Sequence, residues 1–297
     1  MKKEYKKLIS LILAVAAAGT ASALLSACSG SNANTPDIST NSGTVPEEKT
    51  VTSPEPETTP EPETTAEPPK LTLRIGSYNI KHGADASGEL SLIGGVIKNA
   101  GLDIVGVQEV DYKTERVSGV DQPAALAAAA GMEYYKFARA IDYRGGEYGT
   151  LILSRYPIEE FTVTALESGS REGRSIGHAV INVDGVKVDF FNTHLSYEEK
   201  ALRTAQFVKI KELLSDCTTY VLTGDFNTQD YSEFTVLGYG GMLNNAQRHY
   251  VTFPGSKSSI DNIVFSGNFK ISKSGTVAES YSDHRMLWAE LALSIGD

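Results

Sequence analysis

The stretch YVLTGDFN, residues 220–227, decides the fold of this chain. Residues 220–223 are apolar, aromatic or β-branched and predict a short buried strand. That strand leads directly into Asp225, and Asn227 follows two residues later. Carboxylate and amide oxygens are hard ligands that suit Mg²⁺, Mn²⁺ or Ca²⁺ rather than zinc. The stretch therefore predicts a strand that delivers oxygen ligands to the edge of a sheet.

Three other polar clusters occupy the same kind of position. Asn79 and Glu109 each end or follow an apolar run, and Asp283-His284 adjoin a third run. Residues so far apart in the chain converge only if their strands share a sheet edge. The simplest chemistry for such a site is metal-assisted hydrolysis of a phosphate ester. We therefore expect one site built from all four clusters.

The spacing of apolar residues predicts both strands and helices. Strands are expected over residues 71–80, 103–107, 150–154, 176–183, 186–192, 220–223, 260–265, 269–277 and 286–293, and helices over 90–100, 122–130 and 196–214. Asp184-Gly185 is a strong hairpin signal. Glu198 and Glu199 are expected in the first turn of the third helix, where they suit its dipole. Hairpins mixed with strand–helix alternation favour an α+β fold of two packed mixed sheets with helices outside.

The N-terminus has the pattern of a bacterial export signal. Four lysines within residues 2–7 precede a largely apolar run over residues 8–25. The sequence Leu25-Ser26-Ala27-Cys28 then resembles a lipobox, which implies a signal peptide over residues 1–27 and lipidation of Cys28. The alternative is an uncleaved transmembrane anchor, for which the run has only the minimum length. Both predict attachment at the extracytoplasmic face of the bacterial cell membrane.

Residues 28–69 differ in composition from the rest of the chain. They are rich in Ser, Thr, Pro and Glu, repeat PEPETT at 54–59 and 60–65, and predict a disordered tether. Residues 70–297 then form one domain. It holds 22 basic residues, 27 less the five before residue 70, and 28 acidic residues, 37 less nine, for a net charge of −6. This balance is not typical of a protein that grips long nucleic acid.

Eight short motifs occur in order along residues 71–293. They are Ser77–Ile80, Gln108-Glu109, Glu147–Gly149, Ile152–Arg155, Asn192–His194, Gly224–Asn227, Ile260-Asp261 and Ser282–His284. In this order they closely resemble the endonuclease/exonuclease/phosphatase superfamily. The resemblance implies a four-layer α/β sandwich of the deoxyribonuclease-like type, in which helices flank two packed mixed β-sheets. It also implies a metal-dependent phosphoric ester hydrolase.

The resemblance assigns the ligand and substrate contacts residue by residue. The residues that would bind Mg²⁺, or else Mn²⁺ or Ca²⁺, are Asn79, Glu109 and Asp283. The residues that would contact the substrate phosphate are Tyr148, Arg174 and Asn192. The histidines that match no motif position, and for which we expect structural or surface roles, are His82, His178 and His249.

The resemblance also implies five catalytic residues. Asp225 would orient the attacking water, and Asn227 would hold a phosphoryl oxygen or the metal shell. His284 would stabilise charge on the phosphate or relay a proton, with Asp261 bound to its other ring nitrogen. A carboxylate neighbour favours imidazolium and so raises the pKa of a histidine. His194 would protonate the leaving oxygen.

The leading hypothesis is a surface-anchored monomeric phosphoesterase in which water attacks phosphorus in line. A lipid head group or a small phosphorylated metabolite suits the acidic domain and the membrane address, and extracellular nucleic acid is the second substrate class. A non-catalytic binding module on this fold is an alternative of another class, although every candidate ligand and histidine is present. A solute-binding lipoprotein would need two lobes and a longer folded region.

Overall fold

Two six-stranded β-sheets pack against each other in the computed structural model of this protein, which describes residues 70–294. The described residues belong to one compact unit. The predicted signal peptide, Cys28 and the predicted tether lie outside the described residues. Within residues 70–294, no helix combines the length and the apolar character needed to cross a membrane.

The first sheet is mixed. Its strands are β1 (Lys70–Asn79), β2 (Ile104–Tyr112), β3 (Tyr134–Tyr143), β4 (Gly146–Ser154), β11 (Phe269–Val277) and β12 (Met286–Ser294). They lie in the order β11-β12-β1-β2-β4-β3. The pair β1–β2 is parallel, and the other neighbouring pairs are antiparallel. The carboxyl ends of β1 and β2 therefore meet at one edge of the sheet.

The second sheet repeats this arrangement. Its strands are β5 (Ile158–Leu166), β6 (Arg174–Val183), β7 (Val186–His194), β8 (Tyr220–Asp225), β9 (Gly241–Met242) and β10 (Asp261–Phe265). They lie in the order β5-β6-β7-β8-β10-β9, and β7–β8 is the parallel pair. The carboxyl ends of β7 and β8 thus also meet at one edge.

Helices cover the outer face of each sheet. The α-helices are α1 (Leu90–Asn99), α2 (Gln122–Ala130) and α3 (Lys200–Leu214), and the short 3₁₀ helices are Lys81–Gly83, Glu115–Val117 and Tyr231–Leu237. One apolar core joins α1 and α2 to the first sheet, and a second joins α3 to the second sheet. A third core fills the space between the sheets. This is the four-layer sandwich predicted from the sequence.

Gly106 lets the two sheets approach closely at one point. A Cβ on Gly106 would overlap the side chains of Thr223 and Asn192, which belong to the second sheet. The amide nitrogen of Asn192 donates to the carbonyl oxygens of Val107 and Leu151, each at 3.0 Å, and so bonds across to the first sheet. Interiors are close-packed, so only glycine leaves room for this bridge.

The sequence predicted most elements but missed β3, β5 and β9. The hairpin at Asp184-Gly185 is present, with φ of 51° and 92° at its two residues. The prediction that Glu198 and Glu199 lie in the first turn of a helix was wrong, because α3 begins at Lys200 and Glu199 is extended. The residues before Lys200 are held outside the helix, because the Ser196 N–H donates to Oε1 of Gln206 at 3.0 Å.

Candidate active site

The polar clusters converge on an edge shared by both sheets. Asn79 ends β1, while His194 and Asp225 end the parallel pair β7–β8. Asp225 is the register partner of His194 on β7 and of Asp261 on β10. Residues separated by more than a hundred positions therefore meet because four strand ends lie side by side.

An open cleft lies over this edge. The predicted site residues that line it are Glu109, Tyr148, Arg174, His194, Asp225, Asn227, Asp283 and His284. Ile260, from the Ile260-Asp261 motif, also lines it, and the lining residues that the sequence did not single out are Arg116, Ile141, Tyr143, Glu172, Tyr197 and Phe253. Asn79 and Asp261 are buried and do not line the cleft, but each is hydrogen-bonded to a residue that does: Asn79 to Glu109, and Asp261 to His284.

A β-bulge aims Glu109 into the cleft. The register of β2 against β4 shifts between Val107 and Val110, and Glu109 has a φ of 57°. Bulges redirect side chains in this way, at a cost in backbone strain. Burial opposes the charge of Glu109, but the ring of His82, 3.9 Å away, and the hydrogen bond from Asn79 outweigh it and lower the pKa to about 2. Glu109 therefore stays charged at neutral pH.

Asn79 links the two principal carboxylates. Its amide nitrogen donates to Oε1 of Glu109 at 3.1 Å and to Oδ2 of Asp225 at 3.0 Å. Its amide oxygen accepts from the backbone N–H of Lys81 at 3.0 Å. Asn79 therefore positions both carboxylates, while its predicted ligand oxygen is held by the backbone.

Asp225 lies between two imidazoles. Its Oδ2 is 3.6 Å from Nε2 of His194 and 3.7 Å from Nε2 of His284. Its Oδ1 accepts from the backbone N–H of Asn227 at 2.9 Å, which fixes the carboxylate plane. Burial, followed by the nearby charge of Asp261, raises the pKa of Asp225 above its ordinary range. A carboxylate with a raised pKa is a better proton acceptor at neutral pH.

His284 forms a buried pair with Asp261. Nδ1 of the ring lies 2.9 Å from Oδ2 of Asp261, so Nε2 faces the cleft. Burial favours the neutral ring, but the charge and hydrogen bond of Asp261, with Asp225 and Asp283, outweigh it and raise the pKa of His284 to about 10. The second carboxylate oxygen of Asp261 is buried without a hydrogen-bond partner. His284 therefore carries a positive charge at neutral pH.

His194 is the opposite case. Its Nδ1 lies 3.1 Å from Nη1 of Arg174, which has no acceptor and must donate. Burial and the positive charge of Arg174 lower the pKa of His194 to about 3. The ring is therefore neutral, and its Nε2 lies 3.0 Å from the amide nitrogen of Asn227 and 3.6 Å from Oδ2 of Asp225. Two histidines on one cleft thus differ in charge because their partners differ in sign.

Asp283 lies at the mouth of the cleft. Its Oδ2 is 3.1 Å from Nζ of Lys81, which also contacts Asp85 at 3.1 Å. The side chain of Asp283 is 36% exposed, so its carboxylate is open to the cleft. Together with Glu109 it supplies the charged oxygen ligands that a hard divalent cation prefers. Both carboxylates line the same cleft and have the chemistry that such an ion prefers, while among the described residues the possible ligand atoms within 4.8 Å of one another at this edge belong to Asp225, Asp261 and His284.

Asn192 lies away from the cleft, so the structure does not bring this predicted phosphate contact to the site. Besides its two carbonyl partners, its Oδ1 accepts from Gln108 Nε2 at 2.7 Å and from Thr223 Oγ1 at 3.1 Å. The residue is fully buried between the sheets. Tyr148 and Arg174 do line the cleft.

The sequence analysis did not identify several of the residues that line the cleft. Glu172 contacts Nη1 of Arg174 at 3.0 Å from the loop before β6. Arg116 forms a two-pronged pair with Asp111, at 2.8 and 2.7 Å. Tyr197 is 66% exposed at the rim. His82 lies 3.9 Å from Glu109 but does not line the cleft, and it matches no motif position in the sequence.

The fold and the site identify the class of protein. The chain belongs to the Endonuclease/Exonuclease/phosphatase family, whose family model matches residues 76–284. Members of this family are hydrolases that act on phosphoesters, and they generally use divalent metals. No curated protein matches the chain in sequence.

Solved structures share the fold at low sequence identity. An endonuclease/exonuclease/phosphatase from Beutenbergia cavernae DSM 12333 has a TM-score of 0.65 and 23% identity, covering 75% of this chain and 72% of that chain. One from Bacteroides vulgatus has a TM-score of 0.63 and 22% identity, covering 75% and 99%. A mannosyl-6-phosphatase from Bacteroides thetaiotaomicron VPI-5482 has a TM-score of 0.55 and 21% identity, covering 74% and 99%. These likenesses concern the fold alone.

Proposed function

We propose that this protein hydrolyses a phosphate ester by in-line attack of water, with the help of a bound divalent cation. The observation that carries the proposal is the position of Asp225 between neutral His194 and charged His284. A proton acceptor, a neutral imidazole and an imidazolium on one cleft are the groups that such a hydrolysis requires.

The cation would be held by Glu109 and Asp283, with Asn79 fixing the Glu109 carboxylate. A bound Mg²⁺ or Mn²⁺ supplies charge neutralisation at the phosphoryl oxygens. The low pKa of Glu109 supports this assignment, because the carboxylate is charged before any ion binds. Asn79 joins Glu109 to Asp225, so the ion-binding and water-orienting groups share one support.

Side chains of the protein would carry out the remaining steps of the hydrolysis. Asp225 accepts a hydrogen bond from water and aligns it with phosphorus. His284 donates from Nε2 to a phosphoryl oxygen and stabilises its developing charge. Neutral His194, whose Nε2 lies 3.6 Å from Oδ2 of Asp225, would relay to the leaving oxygen the proton that Asp225 takes from the attacking water. Arg174, 3.1 Å from Nδ1 of His194, keeps the ring neutral and adds positive charge beside the phosphate.

The cleft favours a small phosphoester over long nucleic acid. The charged basic groups that line it are each paired with a carboxylate: Arg116 with Asp111, Arg174 with Glu172, and His284 with Asp261. Long nucleic acid binds through unpaired basic residues that replace its counterions. Glu172 and Tyr197 instead suit hydroxyl groups and an apolar face of a small substrate. That one structural neighbour is a mannosyl-6-phosphatase is consistent with this class.

A lipid head group is the other substrate compatible with the cleft. The predicted lipid on Cys28 would hold the protein, as a monomer, at the outer face of the membrane. Two acyl chains give stable attachment. An extracellular nuclease is the second candidate function, since this family includes nucleases by its description.

A substrate panel tests the proposal. The purified full chain with Mg²⁺ would be assayed on bis-p-nitrophenyl phosphate, sugar phosphates, inositol phosphates, sphingomyelin, DNA and RNA. We expect turnover of a small phosphoester or a lipid head group, lowered about 10²–10³-fold in His284→Ala. An exposed histidine change, His249→Ala, serves as the matched control. Equal activity of His284→Ala and the control on every hydrolysed substrate would contradict the mechanism.

A further inference from the structure

The outer face of the second sheet carries a side-chain cluster remote from the cleft. It consists of His178 on β6, Asp189 on β7 and Cys217 in the connection from α3 to β8. One ligand atom from each, a ring nitrogen, a carboxylate oxygen and the sulfur, lies within 4.8 Å of the others. Asp189 precedes His194 by five residues, about 16 Å along a strand. None of the three lines the cleft.

The register of the sheet brings His178 and Asp189 together. His178 pairs with Phe191, and Asp189 pairs with Val180, so the two polar residues are diagonal neighbours on one face. Side chains alternate along a strand, and this face is the one that α3 covers. The ring of His178 stacks on Phe191 at 4.1 Å and 9°, which fixes its orientation.

Backbone hydrogen bonds also fix the position of Cys217, the third residue of the cluster. The N–H of Asp189 donates to the carbonyl oxygen of Thr219 at 2.9 Å, which ties the loop of Cys217 to β7. The N–H of Cys217 donates to the carbonyl oxygen of Leu214 at 3.1 Å. Two of the three possible ligand residues lie on paired strands, and the third lies on a loop that is hydrogen-bonded to one of them. The three ligand side chains are therefore held near one another before any ion binds. Each is partly exposed, so water can complete the coordination.

We propose that His178, Asp189 and Cys217 bind a Zn²⁺ ion, with water as the fourth ligand. Imidazole, carboxylate and thiolate are the three protein ligand types of zinc, whereas Mg²⁺ and Ca²⁺ prefer oxygen alone. Tetrahedral Zn²⁺ holds its ligand atoms roughly 3.3–3.7 Å apart. Nε2 of His178 is now 2.7 Å from Oδ1 of Asp189, so binding requires a shift of less than about 1 Å there.

A reactive cysteine is the competing explanation of this cluster. His178 bonds to Asp189 rather than to the thiol, so it is not placed as a base for Cys217. Burial and the charge of Asp189 raise the pKa of the Cys217 thiol to about 12, opposite to the shift that activates a nucleophile. The thiol keeps its proton until a metal ion displaces it.

Cobalt substitution tests the site directly. The full chain carrying Cys28→Ser, which removes the other thiol, would be stripped with EDTA, reduced, dialysed and titrated with Co²⁺. We expect a thiolate-to-cobalt charge-transfer band in the near ultraviolet, at one equivalent per chain, that Zn²⁺ abolishes. The band should persist in Glu109→Gln, which alters the cleft, and vanish in Cys217→Ser.

Two further variants keep the test decisive if Cys217→Ser fails to fold. His178→Gln and Asp189→Asn retain the thiol and should shift the Co²⁺ titration to at least about tenfold higher concentration. Circular dichroism would confirm that each variant is folded. Absence of the band in the parent chain, or a band that survives Cys217→Ser, would overturn the zinc site.

Discussion

Nε2 of His284 lies 3.7 Å from Oδ2 of Asp225, near but beyond hydrogen-bonding distance. The imidazolium is bonded to Asp261 on its other side, and Asp225 is bonded to Asn79 and the Asn227 backbone. Each group is therefore fixed by its own partners, which leaves Nε2 of His284 and a second lone pair on each Asp225 oxygen for the cleft. A water molecule and a phosphoryl oxygen can engage them separately, which a direct ion pair would prevent.

Replacing Asp225 with asparagine should remove catalysis but not the fold. Asparagine keeps the shape of the side chain and removes a buried group whose charged form burial disfavours. We expect kcat to fall about 10²–10⁴-fold, with a melting temperature close to that of the parent chain, because relief of the buried charge offsets the loss of the oxygen that accepts from Asn79. Turnover assays and thermal unfolding give the two numbers. The exposed change Asp142→Asn is the control, and near-parental turnover in Asp225→Asn would show that this carboxylate does not orient water.

Asp261 should set the charge of His284. In the metal-free chain, nuclear magnetic resonance should show the His284 ring still protonated near pH 8, because its pKa is raised to about 10. In Asp261→Asn that pKa should drop, and the alkaline limb of the kcat profile should move to lower pH. A ring that titrates near the ordinary value of 6.5 in the parent chain would rule out this assignment.

The same pair predicts how stability depends on pH. A folded-state pKa raised above the unfolded value of 6.5 stabilises the fold fully below that pH. The contribution is lost as the pH rises from 6.5 towards 10. Urea unfolding should therefore show a larger destabilisation of Asp261→Asn near pH 6 than near pH 10. A loss of stability that is equal at both pH values would indicate a packing effect instead.

Asn192 should prove structural rather than substrate-binding. Asn192→Ala leaves two buried carbonyl oxygens unpaired, each at a cost of about 1–3 kcal/mol. We expect a lower urea midpoint, with KM of the remaining folded protein little changed. The exposed change Asn99→Ala is the control. Unchanged stability with a raised KM would restore Asn192 as a phosphate contact.

The sequence foresaw the parts of this molecule that depend on local pattern. Leu73 and Ile75 alternate with Thr72, Arg74 and Gly76 and were assigned to a strand, and the Asp225 turn was placed at a strand end. The strand β3 was missed because it is an edge strand with a single fully buried residue, Ala138, so it lacks an alternating signal. Edge strand β5 was missed for the same reason, since eight of its nine residues are not buried and only Leu166 is.

The rest of the site depends on tertiary geometry that no local pattern encodes. The bulge that turns Glu109 into the cleft needs the partner strand β4 to be known. The charge difference between His194 and His284 follows from Arg174 and Asp261, which approach from other strands. Glu172 reaches the cleft from a loop and Arg116 from the 3₁₀ helix Glu115–Val117, and neither belongs to a motif.

Cys28 should carry the membrane attachment. The predicted lipobox implies a diacylglycerol thioether on its sulfur, and Cys28→Ser should abolish lipidation and processing. Detergent partitioning and mass spectrometry of the mature N-terminus would measure this. Hydrolysis of soluble substrates should be unaffected, because Cys28 precedes the residues that build the cleft. A soluble protein whose unmodified N-terminus lies at a residue other than Cys28 would exclude the lipoprotein assignment.

The most direct test of the account is metal dependence carried by Glu109. The chain would be dialysed against EDTA and titrated with Mg²⁺ or Mn²⁺ while hydrolysis of the best substrate in the panel is followed. The parent chain and the exposed-site control Glu160→Gln should lose activity in EDTA and regain it with the ion. Glu109→Ala should remain orders of magnitude less active at every ion concentration. Full activity in excess chelator, or parental activity in Glu109→Ala, would contradict the proposed mechanism.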